Sequence, residues 1–145
     1  MTPLTKQAFK FAYEAHAGQV DKEGIPYILH PVMVADAMET EQEVVTALLH
    51  DVVEDTFVTL DMLREQGFPD VVVEAVHKLT RPEGMEYLEY IRGLLDNPLA
   101  VKVKRADLVH NLMPEREIPG KDIERLHKRY HAALEILNHS CKLYQ

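Results

Sequence analysis

His50 and Asp51 stand side by side in the run Ala47-Leu48-Leu49-His50-Asp51-Val52-Val53-Glu54-Asp55-Thr56, and two further carboxylates follow within one helical turn. On a helical wheel of about 100° per residue, His50, Glu54, Asp51 and Asp55 fall within about 140° of arc. Leu48, Leu49, Val52 and Val53 take the opposite side. A solvated surface helix would mix Lys and Arg among its acids, and this stretch has none. An imidazole is long and a carboxylate short, so neighbours of these two types can reach one cation. Acids crowded this closely repel one another unless a cation sits among them. The chemistry on offer is divalent-metal binding.

Two other places supply ligand types. His30 precedes Pro31 at the entrance to a helix, and Asp107 lies in Lys104-Arg105-Ala106-Asp107-Leu108-Val109-His110-Asn111, inside a largely apolar helical stretch where an aspartate needs a partner. Two histidines and two aspartates, His30, His50, Asp51 and Asp107, form a mixed nitrogen–oxygen set suited to Mn²⁺, Fe²⁺ or Zn²⁺ rather than a thiolate structural zinc site.

The elements that must position these residues all read as helices. Thr2-Pro3 serves as N-cap and first turn of a helix carrying Ala8, Phe11, Ala12 and Ala15, stopped at Gly18. Residues 18–27, with two glycines and a proline, form a shaped loop. Helices are then predicted over 32–38, continuously over 41–55, from an N-cap at Thr59 to Gly67, from Pro69 through Leu79, over 85–95 and over 99–112. Gly120 and Asp122 begin the last helix, which carries Ile123, Leu126, Tyr130, Ala133 and Leu137 on one side. The expected fold is all-α, a bundle of about seven or eight helices with short turns. Tyr87 and Tyr90, spaced among Leu88 and Ile91, read as core or interface, and His16 as a residue shaping the loop.

At 145 residues and 46% hydrophobic, the chain is expected to form one domain over 1–145 with a proper core. Sixteen Lys and Arg against 24 Asp and Glu leave a net charge of −8, which argues against a nucleic-acid or membrane surface but not against a small polyanion held by a few local cations and a metal. The sequence shows no signal peptide and no membrane-length apolar run. The single cysteine, Cys141, cannot make an intramolecular disulfide, so a reducing cytoplasm is the expected setting. The leucine-bearing C-terminal helix is a candidate homo-oligomer face.

The order His30, His50-Asp51, Asp107 resembles the signature of the HD superfamily of metal-dependent phosphohydrolases. The blocks His16-Ala17-Gly18-Gln19, Gly24 to Pro31, Ala47 to Thr56 and Lys104 to Leu112 follow in the same order as in the hydrolase domain of RelA/SpoT-type enzymes, above all the stand-alone small alarmone hydrolases. The similarity spans His16 to Leu112. It implies hydrolysis of the 3′-pyrophosphate of guanosine tetra- and pentaphosphate with Mn²⁺, a small nucleotide as partner, and no synthetase or regulatory domain in a chain of this length. It implies His30, His50, Asp51 and Asp107 as metal ligands and Glu54 and Asp55 as the acids that handle water. Lys22 and Asn111 are the implied substrate contacts, and Tyr27, Lys104, Lys78, Arg81, Lys102 and Arg105 are the remaining candidates for base or phosphate contacts.

The chain departs from that family at two positions. The loop reads Val20-Asp21-Lys22 where the long enzymes carry an arginine before the lysine, and Leu108 stands where arginine often follows the metal aspartate. An aspartate does not replace a stacked guanidinium. The alternatives are therefore the same metal site acting on another nucleotide, such as NADPH or a 3′-phosphorylated adenosine nucleotide, and a nucleotide-binding module without turnover.

Overall fold

The computed structural model describes residues 1–117 and 122–143. Among them the secondary structure is helical apart from one isolated antiparallel bridge, Val20 with Pro26. The order is α1 (Pro3–Ala15), α2 (Leu29–Asp36), α3 (Glu41–Leu49), α4 (Val52–Asp55), α5 (Leu60–Glu65), α6 (Asp70–Leu79), α7 (Tyr87–Gly93), α8 (Pro98–Asn111), a 3₁₀ turn (Pro114–Arg116) and α9 (Ile123–Leu143). The all-α expectation holds. Counting α3 and α4 as the two parts of one broken helix gives the upper of the two helix numbers expected.

That break corrects one expectation. The stretch 41–55 is not a continuous helix: α3 ends at Leu49, and Asp51 adopts φ −105° and ψ −3° before α4 restarts at Val52. This is the bridge region of backbone space, sparsely populated and frequent at active sites. The second helix also begins earlier than expected, at Leu29, so His30 lies on its first turn and Pro31 sits where a missing N–H costs nothing. At the other end of the chain, Asp122 accepts from the Arg125 N–H at 3.0 Å and caps α9. Gly120 lies outside the described residues.

The middle of the molecule is α3, which packs against α1, α2, α6 and α8. Val45, Thr46, Ala47, Leu48 and Leu49 are all buried, five in succession, as a helix enclosed on every side requires. A full capping box starts it: Thr40 Oγ1 accepts from the Glu43 N–H at 3.2 Å, and Glu43 Oε1 accepts from the Thr40 N–H at 3.0 Å. Helix α8 lies against α2, α3, α6 and α9, with Val101, Val103 and Leu108 buried. Leu108 is fully buried in this core, so the position that often carries arginine in the similar family is spent here on packing. On α9, Ala133 and Leu137 are also buried in the chain's own core, which uses part of the face considered for a partner. No described helix is long and apolar enough to cross a membrane.

Two glycines shape the loop that leads to α2. Gly18 (φ 84°) and Gly24 (φ 82°) occupy left-handed backbone that side chains with a Cβ avoid. Asp21 fills the loop between them: its Oδ1 accepts from the N–H groups of Glu23 at 2.8 Å and Ile25 at 2.9 Å. This is what the chain does with the aspartate that replaces a guanidinium.

Burial works against the Glu43 carboxylate, but hydrogen bonds from Thr40 and Glu39 and the nearby Lys102 ammonium outweigh it and hold its pKa below the ordinary 4.5. A depressed carboxylate contributes stability that is present above its unfolded pKa and is lost as pH falls through the folded value. Glu43→Gln keeps the capping geometry without the charge. We predict that in urea melts wild type is more stable than Glu43→Gln at pH 7, with the gap closing as pH drops below 4.5. A gap that does not change with pH would contradict this account of the cap.

Candidate metal and phosphate site

Three elements deliver the acid–imidazole cluster. His30 comes from α2, Asp107 from α8, and His50 and Asp51 from the break after α3. His30 Nε2 lies 2.8 Å from Asp107 Oδ1 and 3.6 Å from Asp51 Oδ2. His50 Nε2 lies 3.1 Å from Asp51 Oδ2 and 3.5 Å from Asp107 Oδ1. One ligand atom each from His30, His50 and Asp107 can be chosen with all three within 4.8 Å of one another, and all three residues are buried. Residues 77 positions apart in the chain thus meet at one point.

The donor set fits a divalent ion. His50 Nδ1 lies 2.6 Å from the Ala47 carbonyl, so that nitrogen carries the proton and donates it. The opposite atom, Nε2, faces the carboxylates and is buried with no hydrogen-bond partner, and a cation that displaces its proton would meet its lone pair there. A buried imidazole nitrogen left open beside two aspartates, in a nitrogen–oxygen set, is what a borderline cation requires. Together with the family assignment below, the cluster suggests a divalent metal.

His110, one turn beyond Asp107, completes the His30 side. Its Nδ1 lies 2.7 Å from His30 Nδ1, and the two rings are nearly coplanar, 13° apart with centres 4.9 Å apart. For His30 Nε2 to act as a ligand, His30 Nδ1 must be the donor and His110 Nδ1 the acceptor. The sequence contained this residue in a motif block but offered no reason to assign it a role.

The charges are set by each other. Burial works against the ionised forms of Asp51 and Asp107, but His50 for Asp51, and Lys104 with the two imidazoles for Asp107, outweigh it and hold both carboxyls below the usual range. Burial likewise opposes a charged His50, and Asp51 and Asp107 overcome it and raise its pKa. Tyr27 is pushed up by burial and by Asp51, so it stays a phenol and a permanent donor. Glu54 and Asp55 are both shifted upward, in each case first by burial, with the Asp51 charge adding to it. A carboxylate whose pKa is raised is a better base toward water than an ordinary one.

The candidate residues are not all used as the sequence suggests. Tyr27 donates to Asp51 Oδ2 at 2.6 Å and lies 3.4 Å from Asp55 Oδ2, so its hydroxyl is turned onto the acids. Asp55 also gives its carbonyl to Gln19 Nε2 at 2.8 Å, and Gln19 Oε1 meets His16 Nδ1 at 2.9 Å, which is the loop-shaping part expected of His16. Glu54 faces other neighbours: its Oε1 accepts from the Arg81 N–H at 3.1 Å. Asn111 donates to Asp107 Oδ1 at 3.2 Å while its own Oδ1 accepts from Arg116 Nε at 3.3 Å, so both ends of the amide are engaged. Lys104 Nζ donates to Asp107 Oδ2 at 2.9 Å.

Lys22 is not drawn into the cluster; its ammonium donates to the Glu117 carbonyl. Lys78 pairs with Asp96, Lys102 with Glu39 and Glu43, and Arg105 donates to Asn138, so none of these three lines the cluster. A cavity of about 190 Å³ opens beside His30, His110 and Tyr27, and Arg116, whose guanidinium donates to Asn111, lines it together with Asp21 and Glu23. Arg116 was not among the candidates, because no local pattern links it to residues so far upstream.

A family model described as an HD domain matches residues 8–117. A probable GTP pyrophosphokinase of Mycobacterium leprae is 34% identical over 92% of this chain and 18% of its own length. A guanosine-3′,5′-bis(diphosphate) 3′-pyrophosphohydrolase of Haemophilus influenzae is 36% identical over 70% of this chain and 17% of its own. The bifunctional (p)ppGpp synthase/hydrolase SpoT of Escherichia coli is 33% identical over 74% and 17% respectively. The chain therefore spans under a fifth of the length of these curated relatives. Among solved structures, a metazoan SpoT ortholog described as hydrolysing ppGpp superposes with a TM-score of 0.70 at 22% identity, over 99% of this chain and 97% of that one, and so shares the fold.

Removing the acceptor behind His30 is expected to loosen that ligand. We predict that His110→Leu weakens divalent-metal binding roughly 10- to 100-fold by calorimetry. His110→Asn, which keeps an acceptor near the Nδ1 position, loses less. Equal affinity in His110→Leu and wild type would show that the imidazole pair does nothing for the site.

Proposed function

The chain belongs to the HD-domain family, and from that premise we propose that it is a divalent-metal-dependent phosphohydrolase. Its proposed substrates are guanosine tetra- and pentaphosphate, whose 3′-pyrophosphate it removes to leave GDP or GTP and pyrophosphate. The observation that carries this reading is the meeting of His30, His50, Asp51 and Asp107 at one buried point, with Asp55 linked to Asp51 through the Tyr27 hydroxyl. It is supported by relatives whose names describe 3′-pyrophosphohydrolases of guanosine-3′,5′-bis(diphosphate). The metal is proposed to be Mn²⁺, held by those four residues, and the single cysteine fits a reducing, cytoplasmic setting.

When bound, the ion supplies a Lewis acid that acidifies water and draws charge from a phosphoryl oxygen. The remaining work falls to the chain. Water attacks the proximal phosphorus of the 3′-pyrophosphate, the bond from that phosphorus to the 3′-oxygen breaks, and a proton passes from the water to the 3′-oxygen. Asp55 and Glu54, with pKa values raised by burial, are the carboxylates assigned to take and return that proton. Tyr27, bonded to Asp51 and within reach of Asp55, fixes the distance between a ligand and a base. Asn111 and Lys104 hold Asp107 from either side, and Lys104 adds positive charge where phosphate charge must be met. Lys22, close to the loop, is left as an outer contact for the nucleotide.

A second substrate class is favoured by one observation: Asp21 is committed to its own loop, and the cation of the neighbouring cavity comes from Arg116 instead. A changed base contact is compatible with an adenosine nucleotide bearing a 3′-phosphate, or with NADPH. A binding module without turnover has no use for two raised carboxylates beside a metal site, and that reading is set aside.

Purified chain with Mn²⁺ is expected to convert guanosine tetraphosphate to GDP and pyrophosphate. His50→Ala should fall to background, and Glu54→Gln or Asp55→Asn should lower kcat roughly 10²- to 10⁴-fold. A nucleotide panel in the same assay decides the base. Failure of wild type to form GDP above the His50→Ala background removes the guanosine assignment, and turnover of an adenosine nucleotide instead would select the second class.

A further inference from the structure

Five buried side-chain polar atoms lack a hydrogen-bond partner among the described residues, and two of them, Tyr87 Oη and Arg129 Nε, belong to residues lining one cavity of about 180 Å³. The cavity is walled by Glu54, Arg81, Lys104, Arg129 and three tyrosines, Tyr87, Tyr90 and Tyr130, and also by Asn111, which bonds the cluster residue Asp107. Tyr87 is 7% exposed, and neither a tyrosine hydroxyl nor a guanidinium nitrogen can be buried unpaired without cost.

The charge pattern points the same way. The Arg129 guanidinium lies 4.1 Å from the Tyr87 ring centre and that of Arg81 lies 5.5 Å from it, so two cations share one aromatic ring. Lys104 stands 5.4 Å over Tyr90 but is already paired with Asp107. Glu54 is the one carboxylate in the wall, and its Oε1 is engaged by the Arg81 backbone N–H. Arg81 Nε and Nη2 donate to the Met85 carbonyl at 3.0 and 2.8 Å, so its charge is oriented by the backbone, while Arg129 Nε and Tyr87 Oη are left open; two guanidinium groups against one carboxylate leave an excess positive charge. Groups arranged in this way repel one another unless an anion with several acceptor oxygens lies between them.

We propose that this cavity, built by Arg81, Tyr87 and Arg129 next to Glu54, is a binding subsite for a phosphate chain. The volume is below the 300–1,000 Å³ usual for a whole drug-sized ligand and suits phosphoryl groups rather than a nucleoside. The inference rests on the nucleotide reading above and deepens it. Tyr87, expected from the sequence to be core or interface, contributes its ring to packing and its hydroxyl to this subsite. Two parts of a nucleotide substrate share the ligand chemistry: the leaving pyrophosphate and the 5′-phosphates.

Calorimetric titration of the full chain with pyrophosphate and separately with GDP distinguishes these sources, and each is run with the divalent ion bound and again after chelation. Wild type is expected to bind at least one of the two saturably in both states. Arg129→Ala is expected to weaken that binding roughly tenfold to a hundredfold, as loss of a charge-assisted hydrogen bond does. Arg129→Lys and Tyr87→Phe, which keep the volume and packing, should each weaken it less but measurably at an unchanged Tm. An effect on pyrophosphate alone assigns the leaving-group side, and an effect on GDP alone assigns the 5′ side. No saturable binding to wild type, or unchanged affinity for both anions in the two conservative variants, overturns the subsite and leaves a water-filled cavity. Because these readings need no turnover, a chain that binds either anion through Arg129 yet hydrolyses no guanosine polyphosphate would keep the subsite and lose only the substrate.

Discussion

The site depends on one helix stopping in the right place. Helix α3 is enclosed by four other helices, and its last residues are buried without exception. A buried helix end leaves carbonyls that need donors. Here the Ala47 carbonyl takes the Nδ1 proton of His50, so satisfying the backbone and choosing the tautomer of the imidazole are the same interaction. The turn at Asp51 then directs two adjacent side chains toward one point. In a continuous helix they would stand about 100° apart. The nonpolar packing of α3 thus positions the acid–imidazole cluster.

Around that point the charges are mutually dependent. Asp51 and Asp107 remain ionised because imidazoles and Lys104 stand beside them, and Lys104 is held in place by Asp107. Such a cluster is costly to leave half-paired, and breaking one partner affects the rest. Second partners restrain each proposed ligand: Ala47 behind His50, His110 behind His30, Tyr27 on Asp51, Asn111 and Lys104 on Asp107. These restraints fix orientation before any ion or substrate arrives, which is where a metal site gains affinity.

Much of this was legible in the sequence because it is local. Helical periodicity, the Thr2 and Thr59 caps and the glycine stops identify the elements, and the side-by-side His50 and Asp51 mark the cluster. What was not legible needs the third dimension. Helical spacing alone does not say that 41–55 breaks after Leu49, since both halves have good helical patterns. It groups Glu54 with Asp55, whereas folding turns them to different neighbours, Arg81 for one and Tyr27 with Gln19 for the other. His110, Arg116 and Arg129 carry no local signal at all. Each acts on a residue whose position in the chain is set by other helices, or on a cavity that exists only once α7, α8 and α9 have come together.

The most direct test of the account is a crystal soaked with Mn²⁺ and measured at the manganese absorption edge. The account predicts one anomalous peak enclosed by His30, His50, Asp51 and Asp107, and its loss in His50→Ala crystals of the same form. An ion bound elsewhere, or no peak at a Mn²⁺ concentration well above that needed to saturate the chain in solution, would contradict it.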